Sequence, residues 1–215
     1  MKVLVVMGTR PEVIKLAPLV KVLRDHADVR VCSSGQHREM LTQALHAFSL
    51  VPDIQLDTMS PGRSLNILAS RQLEVLDEVL AQECPDWVVV QGDTTTAFCA
   101  GLAAFHRGIR VAHVEAGLRT GDIASPFPEE INRSLLARIA SLHCAPTHMA
   151  AVKLRAENVP ANTILITGNT IVDAIKLTQQ MWNNGKTHAI LPVLVGWISD
   201  GAFIFLPRPR HEKFG

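Results

Sequence analysis

Short β-branched runs alternate with amphipathic helical stretches through most of this chain, and that alternation restricts the possible folds more than any other feature. Lys2–Met7, Val29–Ser33, Asp53–Leu56, Trp87–Val90, Arg110–Val114, Leu142–Ala145 and Ile164–Thr167 read as strands. Between them, Val13–Arg24, Glu39–Phe48, Leu65–Gln82, Ala97–His106, Glu129–Ile139 and Met149–Glu157 read as helices. Leu65–Gln82 is apolar at Leu68, Val75, Leu76 and Leu80; Glu129–Ile139 places Ile131, Leu135, Leu136 and Ile139 on one face. Strands that alternate with helices imply βαβ units and a doubly wound parallel α/β sheet. Residues 1–170 are predicted to form this domain. A further helix, Asn169–Met181, is expected to leave the sheet, and Asn183-Asn184-Gly185-Lys186 is a linker-like turn. Residues 171–215 therefore read as a linker helix and the start of an incomplete second domain. About 30 residues cannot build an α/β domain when small ones need about 50.

In such a sheet, ligands bind where the turns leave the carboxyl ends of the strands. Four polar turns occupy those positions: Gly8-Thr9-Arg10-Pro11-Glu12, Gly35-Gln36-His37-Arg38-Glu39, Gly92-Asp93-Thr94-Thr95-Thr96 and His113-Val114-Glu115-Ala116-Gly117-Leu118-Arg119. In the first, Gly8 allows a tight turn and Pro11 suits an early helical position. The free N–H groups of the helix start favour an anion, and Arg10 and Lys15 add positive charge for phosphate. In the third, Asp93 ends a strand, and Thr94 to Thr96 can cap the helix that follows, although Asp93 could be the cap itself. In the fourth, Glu115 is placed as a general acid or base with a perturbed pKa, or else pairs with Arg119 or a neighbouring loop. Gly117 would let the backbone approach a ligand. Glu129 and Glu130 open a helix, where acidic residues suit the dipole, and Glu130 is spaced to pair with Arg133.

Several functional classes lose support. A net charge of +1 leaves no electrostatic footprint for nucleic acid or an acidic membrane. GxGxxG is missing, so a nicotinamide cofactor has no fingerprint, and without GxSxG acyl transfer has no support. Cys32, Cys84, Cys99 and Cys144 match no zinc spacing and read as buried free thiols. No histidine pair has metal-ligand spacing. His37 and His113 lie in motif positions; His26, His46, His106 and His188 read as surface or helix-end residues. Lys2–Met7 is too short for a signal peptide and Leu191–Ile198 too short to span a bilayer, so the chain reads as a soluble cytoplasmic protein.

Taken together, the motifs resemble the non-hydrolysing UDP-N-acetylglucosamine 2-epimerase family. The matching segments, in family order, are Gly8–Glu12 with Lys15, Gln36-His37-Arg38-Glu39-Met40-Leu41, Gly92–Thr96, His113–Gly121, Pro128-Glu129-Glu130-Ile131-Asn132-Arg133 and Thr167-Gly168-Asn169-Thr170. They cover about residues 1–181. The resemblance implies that residues 1–170 are the Rossmann-like N-terminal domain of a glycosyltransferase-B-like two-domain fold. The active site would lie in the cleft between domains, with no cofactor and no metal. It implies a UDP-sugar substrate and interconversion of UDP-N-acetylglucosamine and UDP-N-acetylmannosamine. A base removes the C2 proton, UDP leaves by anti elimination, and UDP re-adds after reprotonation on the other face. Asp93, Glu115 and Glu129 match the acidic residues implicated in proton transfer. Arg10, Lys15 and Arg119 match substrate contacts, and Gln36 and His37 match a stretch that meets a second, activating UDP-sugar. Family members are usually homodimers that serve surface-polysaccharide synthesis.

The resemblance ends inside a truncated second domain. The family opens that domain with a His-Arg-Arg-Glu type motif and an aromatic-Gly pair. Here Glu212, Phe214 and Gly215 fit, but Pro209 stands at the family's histidine position and His211 is displaced by two. Two further readings stay open: a non-catalytic nucleotide-sugar-binding remnant, and a hydrolysing relative that releases N-acetylmannosamine.

Overall fold

The computed structural model describes residues 1–34, 38–58 and 64–183. Seven strands form one all-parallel sheet: β1 (Lys2–Met7), β2 (Asp28–Ser33), β3 (Ile54–Gln55), β4 (Trp87–Gln91), β5 (Arg110–Val114), β6 (Leu142–Ala145) and β7 (Ile164–Ile166). Their order is β3-β2-β1-β4-β5-β6-β7, so the sheet grows in one direction to β3 and then restarts on the other side of β1. That reversal puts the topological switch point between β1 and β4, where an open α/β sheet has its crevice. β1 lies in register with β2 along its whole length and pairs with β4 over Val3–Val5.

The helices are α1 (Arg10–Leu23), α2 (Arg38–Ala47), α3 (Leu65–Glu83), α4 (Thr95–His106), α5 (Glu129–Ile139), α6 (His148–Ala156) and α7 (Ile171–Asn183). β1 is buried on both faces, as its unbroken apolar run requires. Val3, Val5 and Met7 pack with Val13, Leu16 and Val20 of α1 and with Leu41 and Leu45 of α2. Leu4 and Val6 face the other way, onto Leu76 and Leu80 of α3 and Ala97, Ala100 and Ala104 of α4. A third cluster, with Leu154 of α6 and Ile164 of β7, closes the far end of the sheet.

The doubly wound fold follows the alternation of the sequence, with instructive differences. α1 begins three residues before the expected Val13, because Thr9 and Glu12 form a capping box around its first turn. α4 begins at Thr95 because the Thr94 side chain accepts from the Ala97 N–H at 3.0 Å. The expected apolar face of α5 is partly wrong: Leu135 is 41% exposed, while Glu130, Asn132, Leu136 and Ala137 are buried. The amino-terminal turns of α5 point into a polar site, which hydrophobic periodicity cannot register. α7 packs against α1 through the buried Ala174, and so stays against the helices that flank the sheet. Of the four free cysteines, Cys32 and Cys99 are buried and Cys144 is half-buried, but Cys84 is exposed at the end of α3. His188 and the second-domain signals at Pro209, His211, Glu212, Phe214 and Gly215 lie outside the described residues.

Candidate active site

The site forms where the turns after β1, β4, β5 and β7 meet the amino end of α5. The first turn is already filled. Glu12 is 1% exposed, and its Oε2 accepts from the Gly8 N–H at 2.9 Å and the Thr9 N–H at 2.6 Å. Two backbone donors of this turn are thus taken by the chain's own carboxyl group, whose pKa burial pushes up. Gly8 is needed for space rather than for an unusual dihedral angle. A Cβ there would stand 2.4 Å from Ser34 Oγ and 2.5 Å from Thr96 Oγ1. The side chains of Arg10, exposed on the first turn of α1, and Lys15, one turn further on, remain as the positive charge of this turn.

Lys15 reaches across to Glu115. Its Nζ lies 2.5 Å from Glu115 Oε2, which also accepts from Gln91 Nε2 at 2.5 Å; Glu115 Oε1 accepts from Asn169 Nδ2 at 2.9 Å. Four strand ends thus meet on one carboxylate: β1 through Lys15, β4 through Gln91, β5 through Glu115 itself and β7 through Asn169. Glu115 has φ +63°, a left-handed conformation that costs a non-glycine residue about 1 kcal/mol or more. Such conformations concentrate at functional sites, where surrounding contacts hold them. The expected alternative partner, Arg119, is not the one used. Arg119 instead forms a bidentate pair with Glu157, at 2.7 and 2.9 Å, with its side chain 7% exposed.

Asp93 follows Gly92, whose φ of +73° turns the chain sharply out of β4. Thr94, not Asp93, caps α4, so the Asp93 carboxylate is free to face the site. Its Oδ2 lies 2.9 Å from Arg133 Nη2 of α5, and its backbone carbonyl accepts from Asn132 Nδ2 at 2.9 Å. Burial pushes the Asp93 carboxyl above its ordinary pKa; Arg133 opposes this, and Glu129 and Glu115 push further upward. Glu129, the first residue of α5, has a buried Oε2 with no hydrogen-bond partner among the described residues, which leaves it available to a ligand or a water. Its neighbour Glu130 is structural, as its sequence position suggests. It accepts from the Thr120 and Gly121 N–H groups at 3.1 Å and pairs with Arg133 at 3.4 Å. Burial works against the charged form of Glu130, but those N–H groups and Arg133 prevail and hold its pKa below the ordinary value.

Gly117 also departs from expectation. At φ +88° its missing Cβ leaves room for α6, since a Cβ would stand 2.4 Å from the Ala150 carbonyl oxygen. It serves helix packing, not ligand approach. His113 is fully buried, and its Nε2–H donates to the Gly92 carbonyl at 2.7 Å. It sits in register with the equally buried His143 of β6. Gln36 and His37 lie outside the described residues. The site residues that the sequence left without a role are Gln91, Asn132 and Asn169, and Arg133, legible as the partner of Glu130, also pairs with Asp93. Gln91, a polar residue ending the Trp-Val-Val-Val run, was the available clue. Among the described residues, no group of His, Cys, Asp and Glu could hold a metal ion.

Comparison with known proteins fits this geometry. Residues 21–205 match the family model described as UDP-N-acetylglucosamine 2-epimerase. Proteins named UDP-N-acetylglucosamine 2-epimerase from Salmonella typhimurium and Escherichia coli K12 are 52% and 47% identical to the chain over its whole length. The chain spans 58% of the length of either relative. A Neisseria meningitidis UDP-GlcNAc 2-epimerase, solved bound to UDP-GlcNAc, superposes with a TM-score of 0.83 at 43% identity, covering 86% of this chain and 51% of that one. A Methanocaldococcus jannaschii UDP-GlcNAc 2-epimerase, solved with UDP-GlcNAc and UDP, gives 0.79 at 37% identity, covering 88% and 51%.

Proposed function

The chain belongs to the UDP-N-acetylglucosamine 2-epimerase family, and from that membership we propose that its carboxylates interconvert UDP-N-acetylglucosamine and UDP-N-acetylmannosamine. The observation that carries the reading is the gathering of Asp93, Glu115 and Glu129 from three separate turns at the switch point, beside Lys15 and Arg133.

The C2 proton of the sugar is weakly acidic, so its removal needs a positioned base and stabilisation of the charge that develops. Inversion at C2 needs a base on one face of the sugar and an acid on the other. Glu129, with an unpartnered buried oxygen, and Asp93, whose environment favours the protonated form, suit those two places. The C2–H electron pair becomes the C1=C2 double bond as the C1–O bond to UDP breaks. Addition of the proton to the opposite face, with return of UDP to C1, completes the epimerisation. Both oxygens of Glu115 are committed to an ammonium and two amides, so Glu115 acts by orientation and by its field on Asp93. Arg10 and Lys15 meet the diphosphate. Arg119 reaches the sugar nucleotide only by releasing Glu157, and Gln36 and His37 are kept for a second UDP-sugar. The protein acts as a cytoplasmic homodimer, a reading supported by the family's habit alone.

The test is to incubate the native protein carrying this chain with UDP-N-acetylglucosamine and follow the products by NMR. UDP-N-acetylmannosamine at a constant ratio with no growing UDP signal is the expected result. Free UDP and N-acetylmannosamine rising with turnover would favour the hydrolysing alternative, and an unchanged substrate would refute the proposal.

A further inference from the structure

We propose that Glu12 is a positioning residue that sets the Asp93 carboxylate by tying the β1–α1 turn to the β4–α4 turn across the switch point. An ordinary capping box explains only half of what this side chain does. Its Oε2 takes the Gly8 and Thr9 N–H groups, which completes the cap of α1. Its Oε1 accepts from Thr94 Oγ1 at 2.8 Å, a contact spanning 82 residues of sequence, and the same hydroxyl accepts from the Ala97 N–H to cap α4. One carboxylate, buried to 1% exposure, therefore fixes the amino ends of two helices at once.

Asp93 lies between the points held. The Gly92 N–H donates to the Val114 carbonyl at 3.0 Å, and the Gly92 carbonyl accepts from His113. The Asp93 carbonyl accepts from Asn132, and the Thr94 hydroxyl donates to Glu12. These four groups are held by three other elements: β5 takes both Gly92 groups, α5 the Asp93 carbonyl and α1 the Thr94 hydroxyl. Among these ties, Glu12 alone also carries the turn that bears Arg10 and Lys15. It connects the diphosphate-binding end of the site to the proton-transfer end. A displacement of about 1 Å at a reacting group can cost about 100-fold in rate.

The kinetic half of the test rests on the epimerase reading, and the spectroscopic half does not. Glu12→Ala removes the tie. Glu12→Gln preserves it, because the amide oxygen accepts from Gly8 and Thr9 while its NH2 donates to Thr94 Oγ1. In the native protein, Glu12→Ala is expected to lower kcat about 100-fold with KM within about 3-fold, and Glu12→Gln to restore most of kcat. The side-chain carboxyl carbon of Asp93, followed by NMR against pH, is expected to titrate closer to ordinary aspartate in Glu12→Ala and to stay at its raised position in Glu12→Gln. If Glu12→Ala does not fold, Thr94→Ala against Thr94→Ser poses the same question from the other end of the bond. An unmoved Asp93 titration in the folded severing variant overturns the proposal, as does an unmoved kcat. If the parent shows no epimerisation, the functional reading fails, and the Asp93 titration alone decides the role of Glu12.

Discussion

Lowering the pH should unfold this protein partly through one buried histidine. Burial holds the His113 ring down to a pKa of about 4 against an ordinary 6.5, with its bond to the Gly92 carbonyl opposing the shift only in part. The folded protein binds this proton less readily than the unfolded chain. The stability His113 contributes is therefore fully present above pH 6.5 and is lost as the pH falls through 6.5 toward 4. At about 1.4 kcal/mol per pH unit, that interval is worth about 3 kcal/mol, a large part of the 5–15 kcal/mol (about) that holds a typical domain folded. The perturbation is His113→Gln, whose amide can donate to Gly92 as the ring nitrogen does but does not titrate. Urea unfolding of parent and variant at a series of pH values from 7.5 to 4 gives both stability profiles. Asp93 and Glu12 titrate in both proteins and cancel in the difference, whereas His143, whose charge acts on His113 directly, is followed separately by its ring NMR signals in each protein. The parent should lose about 3 kcal/mol more than the variant across the series. Parallel profiles would refute a neutral, buried His113.

Other consequences are simpler to check. Leu136→Ala should cost about 2–5 kcal/mol in chemical denaturation, whereas Leu135→Ala, on the exposed side of α5, should stay within about 0.5. Gly117→Ala combines a left-handed dihedral angle with a Cβ forced against the Ala150 carbonyl, and should lower the melting temperature by several degrees, on the order of 2 kcal/mol. Arg119→Met and Glu157→Gln should lower stability by similar amounts and should not be additive, as expected of one shared pair; a raised KM in Arg119→Met alone would restore Arg119 as a substrate contact. With a thiol reagent under native conditions, Cys84 should react first, because burial pushes the Cys32 and Cys99 thiols up to about 12.

Much of the architecture was legible because two periodicities, of strand and helix, dominate a parallel sheet whose strands are buried on both faces. The limits of that reading are local. The starts of α1 and α4 were set late: Thr94 was legible as a cap, whereas the part of Glu12 in the first turn of α1 was not. Leu135 was assigned to the core because α5 buries Glu130 and Asn132 on the site side, and an apolar pattern does not see buried polar residues. The motifs located the turns that carry the site, but not the pairings within it. A sequence cannot say that Lys15 closes on Glu115 across 100 residues, or that Arg119 is taken by Glu157. Gly8 and Gly117 were legible as special positions, though for the wrong reason. Both make room for packed neighbours, a constraint that exists only once those neighbours are in place.

The most direct test of the central claim is to run the reaction in D2O and read C2 of the sugar by proton NMR. If the carboxylates of this chain exchange the C2 proton with solvent, the C2–H signal of UDP-N-acetylglucosamine fades as UDP-N-acetylmannosamine bearing C2 deuterium appears. Asp93→Asn and Glu129→Gln should each slow both events together by about 100-fold or more. Epimer that keeps its original C2 proton, or full exchange in both variants, would contradict the account.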